Sequence, residues 1–162
     1  MNGGYSMPIN HILTLIKEDD FANVTFSGGD PFYQVDAVTE LAKRIKAETN
    51  KTIWCYTGFT IEEIREDPNL SKLLPYIDVL MGIEPYHLWK DENDHSKGDW
   101  KDGVPLQPSY EQQDEIFQQF VEKYPNLKCI ARHVRYAHSG SENSLKAFMW
   151  YGGHTYESKL FT

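Results

Sequence analysis

Apolar residues recur at helical spacing in several stretches of the chain. Ile9, Ile12, Leu13 and Ile16 share one face of a helix that starts near Pro8, a residue suited to the first helical turn. Val38, Leu41, Ala42 and Ile45 form a second such face, and Lys43, Arg44 and Lys46 near its end suit the negative pole of the helix dipole. Thr60 and Glu63 make a capping box that opens a third helix, broken at Pro68 and resumed from Asn69 to Leu74. A second capping box, Ser109 and Gln112, leads into a face of Ile116, Phe117, Phe120, Val121 and Tyr124 that Pro125 ends. Short apolar runs at Val24 to Phe26, Thr52 to Tyr56, Ile77 to Met81 and Leu127 to Val134 read as strands. Leu145 to Trp150 reads as a last helix, stopped at Gly152-Gly153 where left-handed backbone is easily adopted.

Strands that alternate with helices, through connections long enough for crossovers, predict an α/β fold with a mostly parallel sheet. Right-handed crossovers would put the helices on the outer face of such a sheet if it curls. Residues 87 to 108 interrupt the pattern, being rich in Asp, Lys, Gly and Pro, and read as a polar loop or an active-site lid. With 162 residues, 40% of them hydrophobic, the chain is expected to form a single domain with a core that needs no disulfide or metal.

Charge and cysteine content narrow the function classes. A net charge of −8 without a Lys/Arg cluster argues against nucleic acid or an anionic membrane as the main partner. No apolar run approaches the roughly 18 residues of a membrane span, and the N-terminus lacks a signal-peptide layout, so a cytoplasmic location is expected. The two cysteines, Cys55 and Cys129, lie far apart in apolar segments and read as reduced core thiols. His133 follows Cys129 by four residues without further ligands nearby, so no metal site is expected from this chain alone.

The chemically suggestive stretch is Val24-Thr25-Phe26-Ser27-Gly28-Gly29-Asp30-Pro31, a strand running into two glycines, a carboxylate and a proline. Backbone at Gly28 and Gly29 can approach a ligand closely, and ligands of parallel sheets sit at the carboxyl ends of strands. The same residues also fit a tight turn in which Asp30 caps the next helix. Phosphate binding at Gly28-Gly29 is disfavoured, because no longer glycine run or phosphate-seeking Lys accompanies them. Arg132, His133 and Arg135 gather near the end of a strand, where they read as a polar surface or as alternating exposed residues of an edge strand.

Three blocks carry a family resemblance: Val24 to Pro31, Ile53-Trp54-Cys55-Tyr56-Thr57-Gly58-Phe59-Thr60, and Tyr76-Ile77-Asp78-Val79-Leu80. In order and approximate spacing they resemble the activating proteins of anaerobic ribonucleotide reductase, small radical S-adenosylmethionine enzymes. Asn2-Gly3-Gly4 looks like the segment that follows the cluster loop of that family. The resemblance spans about the first half of the chain, so residues 1–86 read as the radical-S-adenosylmethionine-like part, 87–108 as the polar loop and 109–162 as a divergent C-terminal part.

This resemblance implies a partial, TIM-like barrel and a glycyl-radical activase whose partner is the large subunit of the anaerobic reductase. It implies S-adenosylmethionine as cofactor, with its amino group held at Gly28, Gly29 and Asp30, Ser27 beside them, and Tyr56, Thr57 and Gly58 close by. The family reduces S-adenosylmethionine with a [4Fe–4S] cluster on a Cys-x₃-Cys-x₂-Cys loop, which is absent here. The chain therefore looks like a member that begins after its first strand and cluster loop, and a separate polypeptide or upstream sequence would supply the cysteines. A second departure is Met81-Gly82-Ile83-Glu84-Pro85, where relatives carry an Asp-Gly-Pro turn and where Glu84 stands in a shifted position. The alternative is a non-catalytic α/β module that docks a reductase or binds a nucleoside-type ligand. A sheet edge left open at the first strand would be covered by a partner or by a displaced C-terminal segment.

Overall fold

A computed structural model describes residues 6–83, 100–101, 104–105, 109–137 and 143–162. Asn2-Gly3-Gly4, Glu84 and most of the 87–108 segment lie outside the described residues. In chain order the elements are α1 (Ile9–Glu18), β1 (Val24–Phe26), a 3₁₀ turn (Pro31–Gln34), α2 (Val35–Glu48), β2 (Ile53–Tyr56), α3 (Ile61–Glu66) and α4 (Pro68–Ser71). There follow a second 3₁₀ turn (Leu74–Tyr76), β3 (Val79–Ile83), β4 (Trp100–Lys101), β5 (Val104–Pro105), α5 (Tyr110–Lys123), β6 (Cys129–Ala137), β7 (Asn143–Tyr151) and β8 (His154–Glu157).

Local chemistry sets several of these boundaries. Thr60 accepts from the Glu63 N–H while the Glu63 carboxylate accepts from the Thr60 N–H, and Ser109 with Gln112 repeats the arrangement at α5. Asp67 caps α4, where Pro68 fills the first turn at no cost in hydrogen bonds. The third strand starts two residues later than its apolar run suggests. Tyr76 ends a 3₁₀ turn and Ile77 faces the core from the connection, leaving Val79 to Ile83 to pair.

Six strands form the main sheet in the order β1-β2-β3-β6-β7-β8. β1, β2, β3 and β6 run parallel, whereas β7 and β8 are antiparallel additions. The sheet is therefore mixed and open, and the expected mostly parallel sheet of a partial radical-S-adenosylmethionine barrel is not what this sequence forms. The error traces to Leu145–Trp150, which is part of β7 and not a helix. Gly152 (φ 59°) and Gly153 (φ 86°) do not end a helix but form the two-residue turn between β7 and β8, where both positions need the left-handed region. Among the described residues nothing pairs with the outer edge of β1, and C-terminal Phe161 bridges Leu145 of β7 instead.

Strand register divides the sheet into two unlike faces. Phe26, Cys55, Leu80, Ile130 and Trp150 stand in one row and point toward the helices. Leu13 of α1, Ala42 and Ile45 of α2, Ile61 and Ile64 of α3, Leu70 of α4, and Phe117 and Phe120 of α5 all join that core. Burying each of the larger side chains contributes on the order of 1.5–3 kcal/mol. The alternate rows face away from the helices: Trp54, Val79, Cys129 and Tyr151 in one, and Tyr56, Met81, Ala131, Met149 and Tyr156 in the next. Trp54 and Tyr56 there are each 42% exposed, so the aromatic residues of this face meet solvent.

Asp78 laces the amino ends of three strands. Its Oδ2 accepts from the Ile53 N–H at 2.8 Å and pairs with Lys46, its Oδ1 meets Lys128 Nζ at 3.1 Å, and its carbonyl accepts from the Lys128 N–H at 2.8 Å. This clamp lies at the end of the sheet opposite the glycine turn.

Candidate functional site

A cavity of about 440 Å³ opens at the carboxyl ends of the parallel strands, on the face without helices. The turn after β1 brings Ser27, Gly28 and Asp30 to it, and the end of β2 brings Tyr56, Thr57 and Gly58. Six of the seven site residues expected from sequence thus line one cavity, and Gly29 lies in the same turn between Gly28 and Asp30. Such a position is where open α/β sheets bind small ligands. Gly28 has φ +91°, a conformation that side-chain-bearing residues rarely adopt.

Asp30 uses its carboxylate locally. Oδ1 accepts from the Phe32 N–H at 2.9 Å, both oxygens lie 3.0 Å from the Thr57 hydroxyl, and Oδ2 accepts from the Gly58 N–H at 2.6 Å. The side chain caps the 3₁₀ turn and ties the end of β1 to the end of β2. Thr57 extends the tie: its hydroxyl accepts from the Phe59 N–H at 3.0 Å, and its own N–H donates to the Met81 carbonyl at 3.0 Å. Asp30 takes part in no ion pair among the described residues, so its negative charge at the rim is not neutralised there.

The remaining walls were not legible as site residues. Met81 and Gly82 come from β3, Ala131 from β6, and Ala147, Phe148 and Met149 from β7. Reading β7 as a helix hid its contribution, although Gly152-Gly153 between two aromatic-rich runs is a hairpin signal. Arg132 and His133 do not share one exposed surface. β6 lies between β3 and β7 and is not an edge strand. Arg132 is buried and pairs with Glu62 of α3 at 3.0 Å, while His133 is exposed and lines the cavity. The Arg135 side chain is outside the described residues.

Residues 5–104 match the 4Fe-4S single cluster domain family. The chain belongs to that family. An anaerobic ribonucleoside-triphosphate reductase-activating protein from Pasteurella multocida (strain Pm70) is 38% identical over 61 residues, covering 36% of this chain and 39% of that protein. The protein of the same name from Enterobacteria phage T4 is 24% identical over 105 residues, covering 59% of this chain and 65% of its own length. The matches thus span less than two thirds of either relative. Among solved structures, a PfkB family carbohydrate kinase from Listeria grayi superposes with a TM-score of 0.57 at 16% identity, over 98% of this chain and 44% of the kinase. The 2-dehydro-3-deoxygluconokinase of Thermotoga maritima gives 0.52 at 19% identity, over 81% and 36%. At such identities the likeness concerns the fold alone, and it agrees with an open, mixed α/β sheet.

The donor set present does not fit a [4Fe–4S] cluster, which needs thiolates gathered around it. Cys55 stands in register with Leu80 and faces the helices, whereas Cys129 stands in register with Val79 and faces the other way. Burial, and then the nearby charge of Asp30, push the Cys55 thiol up to about 12, and burial also raises that of Cys129. Neither cysteine is activated toward thiolate by its surroundings. Among the described residues no group of three or more His, Cys, Asp or Glu is placed to hold a metal ion. No described helix is long and apolar enough to cross a membrane.

Proposed function

We propose that this chain is the S-adenosylmethionine-binding part of an activating protein for anaerobic ribonucleotide reductase. The observation that carries this reading is the convergence of the Ser27–Asp30 and Tyr56–Gly58 turns on one cavity. Family membership and the names of the bacterial relative and the phage relative support it. The backbone carbonyls of the Ser27-Gly28-Gly29 turn would accept hydrogen bonds from the methionyl ammonium group. The unneutralised Asp30 carboxylate favours that positive charge and the sulfonium. Tyr56, Met81 and Met149 offer an aromatic and thioether surface suited to an adenine ring.

In this role the partner is the large subunit of the anaerobic reductase, which receives a glycyl radical. The cluster thiolates then come from a separate polypeptide or from further sequence, not from Cys55 and Cys129. The orientation of those two cysteines also favours a second reading, a non-catalytic module that binds a nucleoside-type ligand or docks a reductase.

Calorimetric titration of the purified chain separates the two. S-adenosylmethionine is expected to bind with a stoichiometry near one and at least about tenfold more tightly than adenosine, a difference of roughly 1.4 kcal/mol from the charged methionyl end. Equal affinities would favour the nucleoside module, and no binding of either would overturn the assignment of the cavity.

A further inference from the structure

We infer that Asp30 and Thr57 are positioning residues that shape the rim of the cavity as one unit, without touching the ligand. The inference rests on the cavity's being the S-adenosylmethionine site. Its basis is the use already made of both Asp30 carboxylate oxygens and of the Thr57 hydroxyl. The Asp30 carboxylate receives the N–H groups of Phe32 and Gly58 together with the Thr57 hydroxyl. The Thr57 hydroxyl donates to that carboxylate and accepts from the Phe59 N–H. Thr57 is only 6% exposed, and turning its hydroxyl toward a ligand would break both bonds.

What these bonds accomplish is geometric. Three strand ends are joined in series: Asp30 after β1 binds Thr57 after β2, and the Thr57 N–H binds the Met81 carbonyl in β3. The Ser27–Gly29 turn has no comparable side-chain anchor of its own among the described residues. Gly28 takes a left-handed conformation that free glycine backbone readily leaves. Asp30, immediately after the glycine pair, fixes where the turn returns to the sheet. The carbonyls offered to an ammonium group are therefore held by the clasp, and the ordering cost is met before the ligand arrives. The carboxylate acts on a cationic ligand through its field at a distance, while its lone pairs serve the protein.

The test is a double-mutant cycle on S-adenosylmethionine affinity, with Asp30→Ala, Thr57→Val and their combination, and with Thr57→Ser as the conservative control. Two residues that act through each other lose their effect together, whereas residues that contact the ligand separately give losses that multiply. Thr57→Val is expected to weaken binding about tenfold, and the double variant to bind no more than about twofold worse than Asp30→Ala. Thr57→Ser keeps the hydroxyl and should stay within about twofold of wild type.

Faster amide exchange at Gly58 and Phe59 in Thr57→Val, at unchanged exchange in the α5 core, supports a local clasp, and this readout holds even if Asp30→Ala fails to fold. Multiplying losses, or a Thr57→Val chain that binds like wild type, would overturn the inference while leaving the site assignment intact. Failure of the wild-type chain to bind S-adenosylmethionine instead overturns the reading on which it rests.

Discussion

Ala131→Trp is expected to weaken S-adenosylmethionine binding by at least about 100-fold, or roughly 2.7 kcal/mol, while leaving the fold intact. Ala131 sits in the middle of the cavity wall, in register between Met81 of β3 and Met149 of β7, on the face that carries no helices. An indole at this position projects into the space a ligand would use and displaces no core residue. The adjacent row, with Ile130 and Leu80, keeps its contacts with the helices. The melting temperature should therefore stay within about 2 °C of wild type. Titration calorimetry combined with thermal melting checks both parts. Unchanged affinity would place the ligand elsewhere, and a large fall in melting temperature would mean that this face is packed more tightly than its exposure indicates.

Asp78→Ala is expected to destabilise the fold strongly, by about 3 kcal/mol. Asp78 is 4% exposed, and its carboxylate anchors the Ile53 N–H, Lys46 and Lys128 at once. Its removal leaves the buried Ile53 N–H without its acceptor and the Lys46 ammonium with only the Lys51 carbonyl, at 3.2 Å. For a chain of this length the loss corresponds to a fall of roughly 6–12 °C in melting temperature. Burial pushes the Asp78 carboxyl upward, but the Lys46, Ile53 and Lys128 hydrogen bonds outweigh it and hold the group below its usual 3.8. A depressed folded-state pKa contributes stability above the unfolded value and loses it as pH falls through the folded value. Wild type should thus exceed Asp78→Ala by a constant margin at neutral pH, and the margin should shrink below about pH 4. Denaturant melts across that range measure it, and a margin that does not change with pH would show that the charge of Asp78 contributes nothing.

Much of the lining of the candidate cavity was legible because it is built from local signals. The glycine pair followed by Asp30 and Pro31, and the Tyr56-Thr57-Gly58 strand end, are contiguous motifs whose backbone demands can be read without the fold. Both capping boxes were visible for the same reason, since each is completed within four residues. The two functions suggested for Asp30, helix cap and ligand group, had no local discriminator. Only the approach of Thr57 and Gly58, distant in sequence, assigns its oxygens.

Sheet architecture was the least legible part. Leu145 to Trp150 has apolar residues on both sides and no clean alternation, because Phe148 enters the core while Met149 and Tyr151 face out among other apolar groups. A two-sided apolar strand lacks the period that separates strand from helix. That one segment, read as a helix, removed two antiparallel strands and left a picture of a parallel, closing sheet. The resemblance to the activating proteins was informative about family and reinforced the wrong sheet, since a site motif can be recognised where the surrounding architecture differs.

The most direct test of the account is a backbone amide NMR titration of the chain with S-adenosylmethionine. The largest shifts are expected at Ser27, Gly28, Gly29, Tyr56, Thr57 and Gly58, with smaller ones at Met81 and Ala131 and none at the Asp78 end of the sheet. Shifts confined to other surfaces, such as the polar groove between α3 and α5 lined by Glu62 and Gln113, or no shifts at saturating ligand, would contradict it.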